Sequence, residues 1–207
     1  MGTEHVRRLV AGCAVVGVLA AGCSDAEGDP PGAEPSVTEQ SPTTSATPEE
    51  TASPGPGPTP WPEPTRPAAM ERDDIEGAKA AAEYFLELYP YAFATGELED
   101  FREMSHPDCK FCRGAADRVT DLYTNGGYAV GGEFSVSDIV ARESGEENVS
   151  HVVGLSGTEA ASTEYSREGE VIRTLGGGEA RYTFELIRDD QRWLVMGGAV
   201  EAIGEAP

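Results

Sequence analysis

Twelve of the 15 prolines in this 207-residue chain fall between Ser24 and Met70. That crowding constrains what the chain can fold into more than any other feature. Proline lacks an amide hydrogen and fixes φ, so a stretch this rich in it supports neither helices nor strand ladders. The remaining residues are mostly Glu, Thr, Ser, Ala and Gly, as in TPEETASPGPGPTPWPEPTRP, and Trp61 is the one aromatic among them. Such a segment cannot bury a core. We expect a disordered, partly polyproline linker over residues 23–70, which as a coil would span roughly 35–40 Å. The fold must then be built from residues 71–207.

Ahead of the linker stands MGTEHVRRLVAGCAVVGVLAAGC. Arg7 and Arg8 form a positive start, and Val10–Ala21 is a short apolar run, below the ~20 residues a spanning helix needs. The pattern is that of an export signal over residues 1–22. Its end, Leu19-Ala20-Ala21-Gly22-Cys23, resembles a bacterial lipobox, whose cysteine becomes diacylated. The resemblance implies a lipid anchor, palmitate-like in kind, at Cys23, holding the protein to the cytoplasmic membrane and facing outside the cytoplasm. Two acyl chains on one residue suffice for stable anchoring. Cys13 matches the short motif but lacks a preceding apolar run. An ordinary secretory cleavage near Ala21 is the alternative.

Charge narrows the partners. Residues 71–207 carry 28 acidic side chains against 12 basic ones, a balance of −16. No lysine or arginine block exists to displace counterions from a phosphate backbone, which excludes nucleic acid as a partner class. Cations or a basic protein remain allowed.

Within the folded part, Asp73 and Asp74 open a helical pattern that runs through Ile75, Ala78, Ala82, Phe85, Leu86, Tyr89 and Phe93 and ends at Gly96. Pro90 lies inside it and removes one amide. A short second helix is expected over Glu97–Met104, and a third from Cys109 or Cys112 to Asn125. After Gly132 the apolar period becomes two. Strands are expected at Glu133–Arg142, Val149–Ser156, Glu179–Ile187 and Arg192–Val200, with a weaker one near Gly169–Thr174. IRDDQRWLV reads as a hairpin turning at Asp189-Asp190. Helices first and a mainly antiparallel sheet after them make an α+β architecture.

This order resembles the cone of the nuclear transport factor 2-like superfamily, where a long helix and two shorter ones lie in the mouth of a curved sheet. AAEYFLELYPYAFATGELEDFREMSHPDCKFC, YTNGGYAVGGEF and YTFELIRDDQRWLVM resemble a family of actinobacterial lipoproteins of unknown function, domain of unknown function 6318. Neither resemblance supplies an activity.

Cys109 and Cys112, in SHPDCKFCRG, can be read three ways. A thioredoxin-type redox pair follows a strand in a βαβ unit, and here the pair follows a helix. A metal site would have His106, Cys109 and Cys112 and no fourth ligand. An exported protein oxidises its free thiols, and residues three apart at a helix start lie about 5–6 Å apart, so a structural disulfide is the reading we adopt. We expect no metal and no cofactor.

His151 lies in a strand and is expected to be a hydrogen-bonded structural residue. No catalytic motif is present, and no catalytic residue is assigned. If the chain forms a cone, its mouth is a candidate pocket for a small apolar or aromatic ligand, with Tyr84, Tyr89, Tyr91, Phe93 and Trp193 as candidate lining. An isomerase or cyclase would need a carboxylate base beside a tyrosine, with Asp108 or Asp117 near Tyr91 as candidates. The function expected is a non-enzymatic envelope domain that binds a ligand or an envelope protein. An enzyme using the cone, and a purely structural envelope component, are the rivals.

Overall fold

The computed structural model describes residues 57–58, 60–144 and 150–203. The export segment, Cys23 and the linker up to residue 56 lie outside them. Chain order is a 3-10 turn (Ala68–Glu71), three helices, α1 (Ile75–Thr95), α2 (Glu99–Glu103) and α3 (Lys110–Thr124), then seven strands. The strands are β1 (Tyr128–Gly131), β2 (Phe134–Ser144), β3 (Ser150–Glu159), β4 (Ser162–Tyr165), β5 (Val171–Leu175), β6 (Gly178–Asp189) and β7 (Arg192–Ala202).

α1 begins where Asp74 accepts the amides of Glu76 and Gly77, each at 3.1 Å. Arg72 pairs with the same carboxylate and holds it in the capping position. The helix buries Ala78, Ala81, Ala82, Phe85 and Leu88 and stops at Gly96, whose φ of 82° suits a residue without Cβ. Pro90 sits in its interior and deprives the Leu86 carbonyl of a helical donor, yet the helix continues to Thr95.

All strand pairs are antiparallel, and they form two sheets rather than one. β2-β3-β6-β7 is four-stranded, and β1-β4-β5 is three-stranded. The architecture is α+β, with helices packed against antiparallel sheets. β2 and β7 each carry a bulge, at Ser137 and Met196, which bends the long strands. The core lies between α1 and the four-stranded sheet. Phe85 stacks on Phe101 (4.7 Å between centroids) and meets Phe184 edge-on (5.2 Å).

Some expectations need correction. The folded part extends ahead of residue 71: Met70 is buried in the core, and Trp193 and Arg188 hold its carbonyl at 3.1 and 2.7 Å. β1 and β4 are too short, at four residues each, to show a period of their own. The β6–β7 turn is Asp190-Gln191, one residue beyond the expected place, since Asp189 pairs with Arg192 and both turn residues take positive φ. His151 is buried but not hydrogen-bonded: neither ring nitrogen has a partner among the described residues. It packs instead as an aromatic, edge-on to the Trp193 ring at 5.2 Å.

Candidate functional site

The CxxC segment is structural in its placement. A disulfide joins Cys109 to Cys112, with Cα atoms 5.3 Å apart. The two residues are 0% and 1% exposed, which leaves no sulfur for an incoming thiolate to reach. Cys109 caps α3, its sulfur accepting the Cys112 amide at 3.1 Å. The preceding residues are stitched to β7: His106 donates its amide to Val195, and Val195 donates to Met104. The His106 ring is itself occupied, Nδ1 accepting the Asp108 amide at 3.1 Å.

The aromatic cavity lies elsewhere, where α1 and α3 face the three-stranded sheet and the edge of β6. It encloses about 280 Å³. Tyr89 and Phe93 reach it from one face of α1, four residues apart, with centroids separated by 5.2 Å. Tyr182 enters from β6, 6.3 Å from Tyr89. The other three residues named from sequence do not line it. Tyr84 is buried on another face of α1, where its hydroxyl donates to Asp100 at 2.5 Å. Tyr91 borders a separate depression with Glu63, Glu97, Glu99 and Asp100. Trp193 is a core residue that clamps the N-terminal turn. The two acids proposed beside Tyr91 are also displaced: Asp117 lines a different cleft, and the Asp108 side chain is largely exposed, neither bordering the aromatic cavity.

Two polar pairs complete the cavity wall. The Tyr182 hydroxyl donates to Glu159 at 3.0 Å. Burial raises the Glu159 carboxyl above its ordinary range, and the Tyr182 hydrogen bond works against that rise. Tyr182 itself is held well above its usual value, first by burial and then by the Glu159 charge. Also on the lining, Arg118 grips Glu164 with two hydrogen bonds, at 2.8 and 2.5 Å. Glu164 is only 6% exposed, so the fork satisfies a carboxylate that water scarcely reaches. The same pair borders a second cleft, of about 590 Å³, between α3 and the β4–β5 hairpin.

Arg118, Glu159 and Glu164 join the lining without being among the residues expected from sequence. One signal was present for Arg118. It shares a helix stripe with Ala115, Val119 and Leu122, and a charge on an apolar stripe requires a partner. Glu159 and Glu164 gave no signal, since they sit at the end of β3 and in the short β4. Among the described residues, no group of three or more His, Cys, Asp or Glu side chains is placed to hold a metal ion.

Several solved structures resemble this chain at low identity. The intermembrane space region of the chloroplast protein ARC6 superposes with a TM-score of 0.49 and 14% identity, over 63% of this chain and 98% of that one. An uncharacterized protein with a cystatin-like fold from Caulobacter vibrioides gives 0.39 and 14%, over 60% and 89%. A member of the NTF2-like family from Streptomyces avermitilis gives 0.39 and 12%, over 62% and 99%. No curated protein sequence matches. Residues 51–198, which contain every side chain of the cavity except Val200, match one family model, and the chain belongs to that family, the family of unknown function DUF6318.

Proposed function

We propose that this protein is a lipid-anchored envelope protein whose folded unit receives a small ring-bearing ligand in the cavity between Tyr89 and Tyr182. The observation that carries the ligand reading is the cavity itself. It holds about 280 Å³, has three aromatic walls, and keeps a tyrosine–carboxylate hydrogen bond at its side. Polar groups converging beside aromatic walls are what small-molecule sites present. A domain acting only through its outer surface has no need of such a hollow.

The anchor reading rests on Leu19–Cys23 and on the proline-rich segment after it. Among the described residues no helix is long and apolar enough to cross a membrane, so membrane attachment in this reading is assigned to lipid on Cys23. Metabolic labelling with an alkyne fatty acid tests it. The wild-type chain is expected to take label and to sediment with membranes, and Cys23→Ala to do neither; an unlabelled wild type ends the reading.

The ligand reading is tested by titrating ring fragments into the protein and following the aromatic side-chain NMR signals. Shifts at Tyr89, Phe93 and Tyr182 are expected. Fragments that move only other resonances would refute it.

One observation favours a second reading, that of an enzyme. Glu159 is a carboxyl with a raised pKa beside a tyrosine donor, the pairing that proton abstraction next to a carbonyl requires. In D₂O, cyclic ketones would then gain deuterium at the carbon beside the carbonyl, and Glu159→Gln would stop the exchange. Absence of exchange across a panel of such ketones counts against this reading.

A further inference from the structure

We infer that the ligand of this cavity is a small ring carrying a single negative charge, an aromatic carboxylate in the simplest case, with its anionic group held at Arg173 beside Arg118. This rests on the reading of the cavity as a ligand site and names the class of ligand it takes.

Basic residues are scarce here, 12 against 28 acidic ones in residues 71–207, yet two of the 12 line this one cavity. Their placement is uneven. Arg118 spends two donors on Glu164 and occupies both carboxylate oxygens. Arg173 stands directly across from Glu164 in the β4–β5 register, so both side chains leave the same face of the hairpin. Arg173 has no ion-pair partner among the described residues. Arg118 is thus committed to Glu164, and Arg173 is the charged side chain of the lining left without a partner among the described residues.

The other carboxylate of the lining is likewise engaged, Glu159 accepting the Tyr182 hydroxyl at 3.0 Å. Both arginines act on the Tyr89 hydroxyl. Its pKa is raised chiefly by burial and further by Glu159 and Glu164, while the charges of Arg173 and Arg118 oppose the rise.

A cationic ligand would meet the unpartnered Arg173 guanidinium, with both carboxylates of the lining already engaged. A neutral ligand would gain nothing from Arg173. An anion exchanges water at Arg173 for a charge-assisted, fork-shaped contact. The acidic exterior does not override this, because surface charges are screened over about 8 Å at physiological salt. Size agrees: a cavity of about 280 Å³ admits a single ring with a short substituent, and no fused system of several rings.

The test is isothermal titration calorimetry of the full chain with benzoate, benzyl alcohol and benzylamine, three probes that share a ring and differ in charge. Benzoate is expected to bind at least about tenfold more tightly than benzyl alcohol, and benzylamine more weakly than both. Arg173→Gln alters an exposed side chain, and its circular dichroism is expected to match the wild type. In that variant benzoate should fall to the level of benzyl alcohol, and benzyl alcohol should be unchanged. Equal or tighter binding of benzyl alcohol or benzylamine would overturn the charge class while leaving the cavity a ligand site. Failure of all three to bind would overturn the ligand site itself. A benzoate preference that survives Arg173→Gln would overturn the assignment of the anion to Arg173.

Discussion

Trp193 donates its indole N–H to the carbonyls of Met70 and Arg72, each at 3.1 Å, and so ties the last strand to the 3-10 turn ahead of α1. Arg188 lies over the same indole at 5.2 Å and donates to the carbonyls of Met70 and Glu71. Residues 70–72 are thus fastened to β6 and β7. Trp193→Phe keeps a ring and removes both indole bonds. A loss of about 1–2 kcal/mol is expected, read as a lower urea midpoint, and limited proteolysis should then cut near residues 68–72. An unchanged midpoint would show that the clamp contributes nothing.

The disulfide closes a very short loop, so chain entropy limits its contribution to about 2 kcal/mol. Cys109→Ala together with Cys112→Ala should lower stability by that order without unfolding the protein. Reductant should have little effect on the native wild type, because both residues are buried, and should act only once the protein unfolds. Intact mass measured with and without reductant under native conditions checks this. Rapid native reduction would instead identify a working redox pair.

Asp74 supplies an acid-sensitive start to α1. Arg72 and the amides of Gly77 and Glu76 lower its carboxyl to about 2. A lowered folded-state pKa means stability that is present above the ordinary carboxylate value of about 4 and is lost as pH falls toward about 2. Asp74→Ala should lower the thermal midpoint at pH 7. The gap from wild type should narrow across that window, and a gap constant with pH would remove the charge from the explanation.

Glu159 has the opposite sign. Its carboxyl is raised by burial, so the ionised form is disfavoured in the folded protein. Stability linked to this group is complete below the unfolded glutamate pKa and declines as pH rises through the higher folded value. Glu159→Gln can still accept the Tyr182 hydroxyl. The variant is expected to be more stable than wild type at pH 7 and equal to it near pH 3.5, as chemical denaturation at the two pH values would show. A variant less stable at pH 7 would mean that the charge of Glu159 is used in the fold.

Local chemistry settled much of this protein before any tertiary contact. Asp74 and Gly96 bound α1 as expected. Alternation along Tyr182, Phe184 and Leu186 correctly places their side chains in the core. These signals act between residues a few positions apart, so they can be read in one dimension. The cavity could not be read that way. Tyr89, Arg118, Glu159, Glu164, Arg173 and Tyr182 come from six different elements. Arg118 and Glu164 are 46 positions apart and meet only after β4 has paired with β1 and β5. Trp193 shows the same limit from the other side. Its aromatic character suggested a pocket, while its indole N–H, satisfied by two carbonyls about 120 positions upstream, makes it a clamp. Charge and burial depend on which elements converge, and that convergence is decided by tertiary packing alone.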